Sequence, residues 1–538
     1  MGPAPETLTG LLAGWADDAP DDVVVRERQG RQRALTIGAL VAAADGRAAA
    51  LAALGAAEGR AVVAWLPNRV EYVELLAGAA RLGATVVGLN TRYRADELTH
   101  VVARCDAAVL VAVDEFAGVR FAEIAATATL PPDLAIVVVT DGDGPDPGWA
   151  EAHDRAVDWR AAGGDFAELG PPPAGDDLLI AFTTSGTTGL PKVAAHDHAG
   201  TVRHARADAV AFDIGGGDRL LLDLPLCGTF GFSSLVAAIA GRATTLIHER
   251  FVPDDTVDAF IADGVTHYFA ADDMLLRVLA TGRLAGASVV WRSGGFANFV
   301  NAGPAVAAQV EEELGVRLTG LYGMSEVFAL LARWPAALPV AARSRAGGIP
   351  VDDALAVRVI DPDTGVERPA GVDGELCFRG PSVLARYLGD PEATARALGE
   401  DGWFRSGDLG RRTGDGGFEF LARLGDTLRL RGFLVDPAEI ERRLETHPDV
   451  ELAQVVGAER PVHGQVAVAF VKLRSGAATS EDDLRRHCAA GIAELKVPTR
   501  ILFVDEFPTV EGPNGRKIRK HDLRALAAAA VIATASGD

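Results

Sequence analysis

The sequence predicts an α/β fold, with a large N-terminal body of two α/β stretches and a small α+β unit at the C-terminal end. Three observations predict it. From Arg60, apolar runs of strand length alternate with stretches in which apolar residues recur at three-to-four spacing. A second region of the same kind spans about Arg219 to Leu321. Beyond Asp426 a shorter segment carries both patterns on its own. At roughly 150 residues per domain the 538 residues correspond to about three folding units, and an apolar fraction of 49% suffices for a large buried core.

The elements follow in order. Ala61–Pro67 reads as a strand, Glu71–Ala84 as an amphipathic helix, Ala84–Asn90 as a strand, Ala95–Cys105 as a helix and Ala107–Val113 as a strand. That alternation implies parallel strands joined by crossover helices. Gly170–Asp177 (GPPPAGDD) is a turn-rich break before the apolar run Leu178–Thr184. In the second region Leu220–Leu226, Thr244–Glu249, Thr266–Ala271 and Ala287–Ser293 are strand candidates, and Ala356–Arg379 reads as β with Gly and Pro turns. The C-terminal segment holds a short strand at Leu428–Gly432, a helix at Pro437–His447, strands at Val450–Ala458 and Gln465–Leu473, and a helix at Glu481–Leu495. No fixed-period repeat is evident.

Composition narrows the function. The formal charge of −22 argues against a nucleic-acid partner, which would need a basic face. The longest weakly polar run, Leu526–Ala535, is well short of the roughly 20 residues that span a bilayer. Met1–Gly10 has no basic segment followed by an apolar stretch, so a cytoplasmic protein is expected. Cys105, Cys227, Cys377 and Cys488 lie far apart with no CxxC pair, which suits reduced, buried thiols. Only five of the 52 cationic residues are lysine: Lys192, Lys472, Lys496, Lys517 and Lys520. Arginine replaces lysine in most solvated ion pairs but not where a compact, mobile ammonium is needed, so each of these lysines is a candidate for such a place.

After the apolar run stands Thr183-Thr184-Ser185-Gly186-Thr187-Thr188-Gly189-Leu190-Pro191-Lys192. Its hydroxyls, glycines and closing lysine suit a loop whose backbone N–H and side-chain O–H groups both point at phosphate oxygens. Pro191 interrupts it and no GK[ST] follows, so it is not a Walker A loop.

This string resembles the signature loop of the adenylate-forming (ANL) superfamily of acyl-CoA synthetases, luciferases and nonribosomal adenylation domains. Other segments agree in order. Tyr322-Gly323-Met324-Ser325-Glu326 resembles YGxTE, Gly374–Pro381 resembles GELxxRGP, and Trp403–Leu409 resembles the GDL motif. Arg423–Glu441 resembles the interdomain motif, and Lys517–Arg524 resembles the terminal KIxKxxLR. The likeness runs from Arg60 to Arg524 and implies an N-terminal adenylation domain over 1–424, including a small β-barrel-like subdomain. It also implies a mobile C-terminal lid over 425–538 with its hinge at Gly425.

The resemblance implies roles for single residues. Thr184, Ser185, Gly186, Thr187, Thr188, Gly189 and Lys192 would hold the β- and γ-phosphates of ATP. Tyr322, with Gly323, would pack on adenine, Ser325 would approach the α-phosphate, and Glu326 with Thr184 would hold Mg²⁺ through hard oxygens. Asp408 would accept both ribose hydroxyls, and Arg423 would reach ribose or phosphate. Lys517 would bridge the attacking carboxylate and the α-phosphate when the lid closes. Arg516 stands between Gly515 and Lys517, where many relatives have the lysine directly after glycine. Gly432, having no side chain, would leave room for the pantetheine of coenzyme A.

Three departures from the family pattern bear on the substrate pocket. Cys227-Gly228-Thr229-Phe230 replaces an aromatic residue followed by His, Ser293–Asn298 introduces Phe296 into a small-residue segment, and Ala271-Asp272-Asp273-Met274 replaces an apolar stretch. Gly228, Phe230, Asp272, Asp273, Phe296 and Gly320 are the expected pocket residues. Asp272 and Asp273 would read a cationic or amino-bearing substrate, or else simply occupy the first turn of a helix. The leading expectation is an ATP-dependent acyl- or aryl-CoA ligase acting on a small-molecule acid. The alternatives are a diazotase activating nitrite for an arylamine, an enzyme loading a carrier protein, and a nucleotide-binding pseudoenzyme.

Overall fold

The computed structural model describes residues 6–535 apart from 143, 154–155, 164–168, 185–190, 300–301, 426, 431–432, 436, 461–463, 491, 493 and 513–514. The chain forms two compact units: residues up to Ala356 together with Phe378–Phe404, and Val357–Cys377 together with the chain from Arg405 onward. No described helix is long and apolar enough to cross a membrane.

The first unit contains two large sheets, one for each α/β region. In the first, the spatial order is Arg386–Tyr387, Lys192–Asp197, Leu178–Thr184, Thr85–Gly88, Ala61–Trp65, Ala107–Val113, Ala135–Val139, Ala156–Asp158. From Leu178–Thr184 to Ala156–Asp158 all neighbours are parallel, as the alternation of patterns requires. Every residue of Ala61–Trp65 and Ala107–Val113 is buried. A sheet covered on both faces has no polar side, which is why these strands read as unbroken apolar runs.

The second sheet places Thr319–Met324, Ser293–Ala297, His267–Ala271, Arg219–Leu222, Thr244–Ile247 and Val23–Glu27 side by side in parallel. One expected strand is displaced. The ladder begins at Ser293 rather than Ala287. Trp291 is buried against Phe260 and Tyr268, with ring centroids 4.9 and 6.1 Å away, while Val290 is exposed. The apolar run before Ser293 thus serves an aromatic plug, which a period-two reading cannot tell from a strand.

In the second unit, Asp408–Arg412 and Phe418–Arg423 form an antiparallel pair. Val450–Arg460, Gly464–Leu473 and Arg500–Phe503 form a three-stranded sheet. Alternation along it builds two cores. Val455, Ala467, Ala469 and Val471 pack with Ile440, Leu444 and Leu484 of the helices Pro437–Glu445 and Glu481–Ala489. Val456, Val468 and Phe470 pack with Leu523, Ala527 and Val531 of the helix Lys520–Ala535. Successive strand residues point to opposite faces, so one sheet carries both. The expected helix to Leu495 ends at Ala489, with a short 3₁₀ turn at Glu494–Lys496.

Candidate active site

In the first unit the strands on either side of the phosphate-loop motif are neighbours. Leu178–Thr184 and Lys192–Asp197 are antiparallel, and Thr184 is the register partner of Lys192 at the open end of the ladder. Ser185, Gly186, Thr187, Thr188 and Gly189 lie outside the described residues. His100, on the helix Ala95–Arg104, donates from Nε2 to the Pro191 carbonyl at 2.9 Å and holds the loop's far end. Tyr93 is hydrogen-bonded to Thr183; burial raises its phenol pKa, and that bond opposes the rise.

The segment Tyr322–Glu326 forms the end of strand Thr319–Met324 and the turn into Phe328–Arg333. Gly323 is required here: a Cβ would lie 2.4 Å from both the Phe328 carbonyl oxygen and the Ala329 Cα. Tyr322 is buried, its ring tilted against Phe378 at 5.6 Å. Both turn carbonyls are held: His196 Nε2 donates to Ser325 O at 2.7 Å, and the Leu384 N–H donates to Glu326 O at 2.7 Å. Because a carbonyl only accepts, His196 carries its proton on Nε2.

The strand Arg386–Tyr387 joins these pieces. It pairs with Lys192–Asp197, placing Tyr387 opposite Ala194. Tyr387 donates its hydroxyl to Glu326 Oε1 at 2.9 Å, and Lys192 Nζ lies 5.0 Å from the centre of its ring. The acid, the phenol and the ammonium come from three distant segments. Beneath them, burial lowers the pKa values of His196 and His204 to about 4. Burial also raises the Asp208 carboxyl, whose Oδ2 is 3.1 Å from His204 Nε2.

In the second unit Asp408 and Arg423 are register partners, and Arg423 Nη1 lies 2.9 Å from Asp408 Oδ1. The carboxylate is buried while the arginine is half exposed. The loop before Asp408 is set by Glu375, which accepts from the Gly407 N–H and from Arg405 Nε, and by Ser406, which donates to Leu376 O and accepts from the Asp408 N–H. Lys517 belongs to the strand Gly515–Ile518, paired with Thr509–Gly512; its side chain lies outside the described residues, as does Gly432. Gly425 is exposed, and its carbonyl accepts from Arg524 at 3.3 Å.

This arrangement fits known proteins. The profile of the AMP-binding enzyme family matches residues 12–388, and that of the AMP-binding enzyme C-terminal domain matches residues 439–511. The chain belongs to this adenylate-forming (ANL) family. It is an AMP-forming ligase. A 4-coumarate–CoA ligase of Oryza sativa subsp. japonica is 30% identical over 521 residues, covering 93% of this chain and 89% of that protein. ATP-bound MatB from Rhodopseudomonas palustris has a TM-score of 0.82 at 26% identity, covering 97% of this chain and 99% of its own. The amide bond synthetase McbA from Marinactinospora thermotolerans has a TM-score of 0.81 at 26% identity, with the same coverage.

The ligase's expected pocket residues have definite places. Gly228 caps the helix Thr229–Gly241, on which Phe230 is buried. Phe296 is buried under Gly303, where a Cβ would lie 2.3 Å from its ring. Gly320 abuts backbone, since a Cβ there would be 2.4 Å from Arg345 O and 2.6 Å from Ser344 O. Asp272 and Asp273 occupy the first turn of the helix Asp272–Leu279. The Asp272 carboxylate accepts from the Phe299, Ala302 and Asp273 N–H groups, so it anchors the segment after strand Ser293–Ala297.

The lysines also have partners. Lys472 pairs with Glu451 at 2.7 Å, Lys496 with Glu439 at 2.6 Å and Lys520 with Glu441 at 3.4 Å. Tyr387, His100 and His196 were not legible as site residues: each acts through a partner far along the chain, and no local spacing marks it; Glu375 lay within the GELxxRGP-like segment, but its part in setting the loop before Asp408 did not show there. All four cysteines are buried thiols, those of Cys105, Cys227 and Cys377 pushed up to about 12 and that of Cys488 to about 11 by burial.

Proposed function

We propose that this ligase activates a carboxylic acid as its acyl-adenylate, releasing pyrophosphate, and then transfers the acyl group to the thiol of coenzyme A in the cytoplasm. The observation that carries the reading is the meeting of Thr184, Lys192, Tyr387 and Glu326. A hydroxyl, an ammonium and a buried carboxylate form the donor set a magnesium triphosphate needs, so the residues fit ATP and Mg²⁺. Mg²⁺, when bound, supplies charge neutralisation at phosphate oxygens. Glu326 and Thr184 would hold it, Lys192 would hold the outer phosphates, and Asp408 with Arg423 would take the ribose. The names of its relatives support a CoA acceptor.

Adenylation needs a cation beside the attacking carboxylate and the α-phosphate, and Lys517 is assigned that part. Rotation about Gly425, between a domain of residues 1–424 and a lid of 425–538, would then bring the region of Gly432 to the acyl group. An amine acceptor is the second reading, favoured by the likeness to an amide bond synthetase. It includes the diazotase variant with nitrite and an arylamine.

A pyrophosphate-release screen over fatty, benzoic and cinnamic acids and nitrite, with products weighed by mass with and without coenzyme A, tests both. Thioester products support the ligase reading. Amide or amine-dependent AMP formation without thioester overturns it.

A further inference from the structure

We propose that His196 is a positioning residue for adenylation, its imidazole N–H fixing the Ser325 carbonyl and with it the turn that carries Ser325 and Glu326. The inference deepens the adenylation reading and rests on it. The hairpin after this turn is strained: Phe328 has φ of +65° and Leu330 of +62°, in the left-handed region that bulky side chains avoid. Such backbone persists only where its surroundings over-determine it. Phe328 is the hub of a ring cluster, stacked on His196 at 4.0 Å and His204 at 4.9 Å, with Phe182 and Phe232 at 6.3 and 6.4 Å. Phe182 lies on the strand leading into the phosphate loop, His196 on the strand leaving it, and Phe232 on the helix that carries Phe230. One buried cluster thus ties together the segments that bear Thr184, Lys192, Phe230 and Glu326.

A phenyl ring would pack at position 196 as well as an imidazole. The imidazole is buried, and its Nδ1 has no hydrogen-bond partner. Burying a ring nitrogen in this way costs free energy that a phenyl avoids. The compensating contact is the bond from Nε2 to Ser325 O. His204 holds the next segment likewise, through Ala329 O at 2.7 Å.

His196→Phe keeps the ring and removes the donor. His196→Gln removes the ring and keeps an N–H at the reach of Nε2. Pyrophosphate release is measured over MgATP and over the acid, MgATP binding by calorimetry without acid, and folding by melting temperature. In His196→Phe, kcat is expected to fall about tenfold, the size of one lost buried hydrogen bond, with the acid's KM unchanged and MgATP binding weakened. His196→Gln recovers most of both despite its lost packing. Wild-type kcat and MgATP affinity in His196→Phe, or equal impairment of the two folded variants, overturns the proposal. If the wild-type protein releases no pyrophosphate with any acid, the adenylation reading fails. The MgATP affinities of the two variants still decide the role of His196, and equal binding by wild type and His196→Phe overturns it.

Discussion

Replacing Tyr387 by Phe isolates one atom of the site. The hydroxyl donates to Glu326 Oε1 at 2.9 Å between two buried side chains, whereas the ring beneath Lys192 is retained. A hydrogen bond to an ionised acceptor out of solvent is worth roughly 1.5–3 kcal/mol. At about 1.4 kcal/mol per tenfold, kcat/KM for MgATP falls about 10- to 100-fold. The carboxylate that would hold Mg²⁺ is then less firmly aimed, so the Mg²⁺ concentration giving half-maximal rate rises. Tyr387→Leu also removes the ring under the ammonium, a further ~1 kcal/mol. The assay is coupled pyrophosphate release at saturating acid, with MgATP and free Mg²⁺ varied separately and melting temperatures recorded. A Tyr387→Phe enzyme within twofold of wild type, with unchanged Mg²⁺ dependence, refutes the reasoning.

Asp408→Ala raises the KM for ATP at least tenfold by kinetics, while stability falls by only ~1 kcal/mol, because Arg423 is half exposed and is rehydrated. Lys517→Ala abolishes pyrophosphate release but leaves thioester formation from supplied acyl-adenylate, followed by mass spectrometry. Gly425→Ala is accommodated, since nothing lies within 4 Å of a Cβ there and its φ is not left-handed, whereas Gly425→Pro slows thioester formation more than adenylation in single-turnover assays. His196 and His204 have folded pKa values lowered by burial from 6.5 to about 4, so the unfolded chain binds the extra protons between those values. Their contribution is complete above pH 6.5 and is lost as pH falls toward 4. Each imidazole costs on the order of 2 kcal/mol between about pH 7 and 5. In the wild type the buried His198 adds to this loss and the raised Asp208 carboxyl opposes it, so denaturant midpoints of wild type and His196→Phe are compared across that range, and their difference shrinks by about one imidazole's contribution as pH falls.

Much of this molecule is local in origin and therefore readable along the chain. Strand runs, crossover helices and the Thr183–Lys192 loop each depend on neighbours within a few residues, and their order identified the family. The lead-in at Ala287–Arg292 shows the limit: an apolar run reports that something is buried, not whether its backbone joins a ladder. The site's precision lies beyond that limit. Tyr387 reaches Glu326 because a two-residue strand pairs in one register with Lys192–Asp197. Asp272 became a backbone anchor because the loop after Ala297 passes over it. The scarce lysines divide the same way: the motifs singled out Lys192, Lys517 and Lys520, while long-range packing supplied the glutamates beside Lys472, Lys496 and Lys520. Register and long-range pairing arise from packing summed over the whole core, a quantity that no single segment carries.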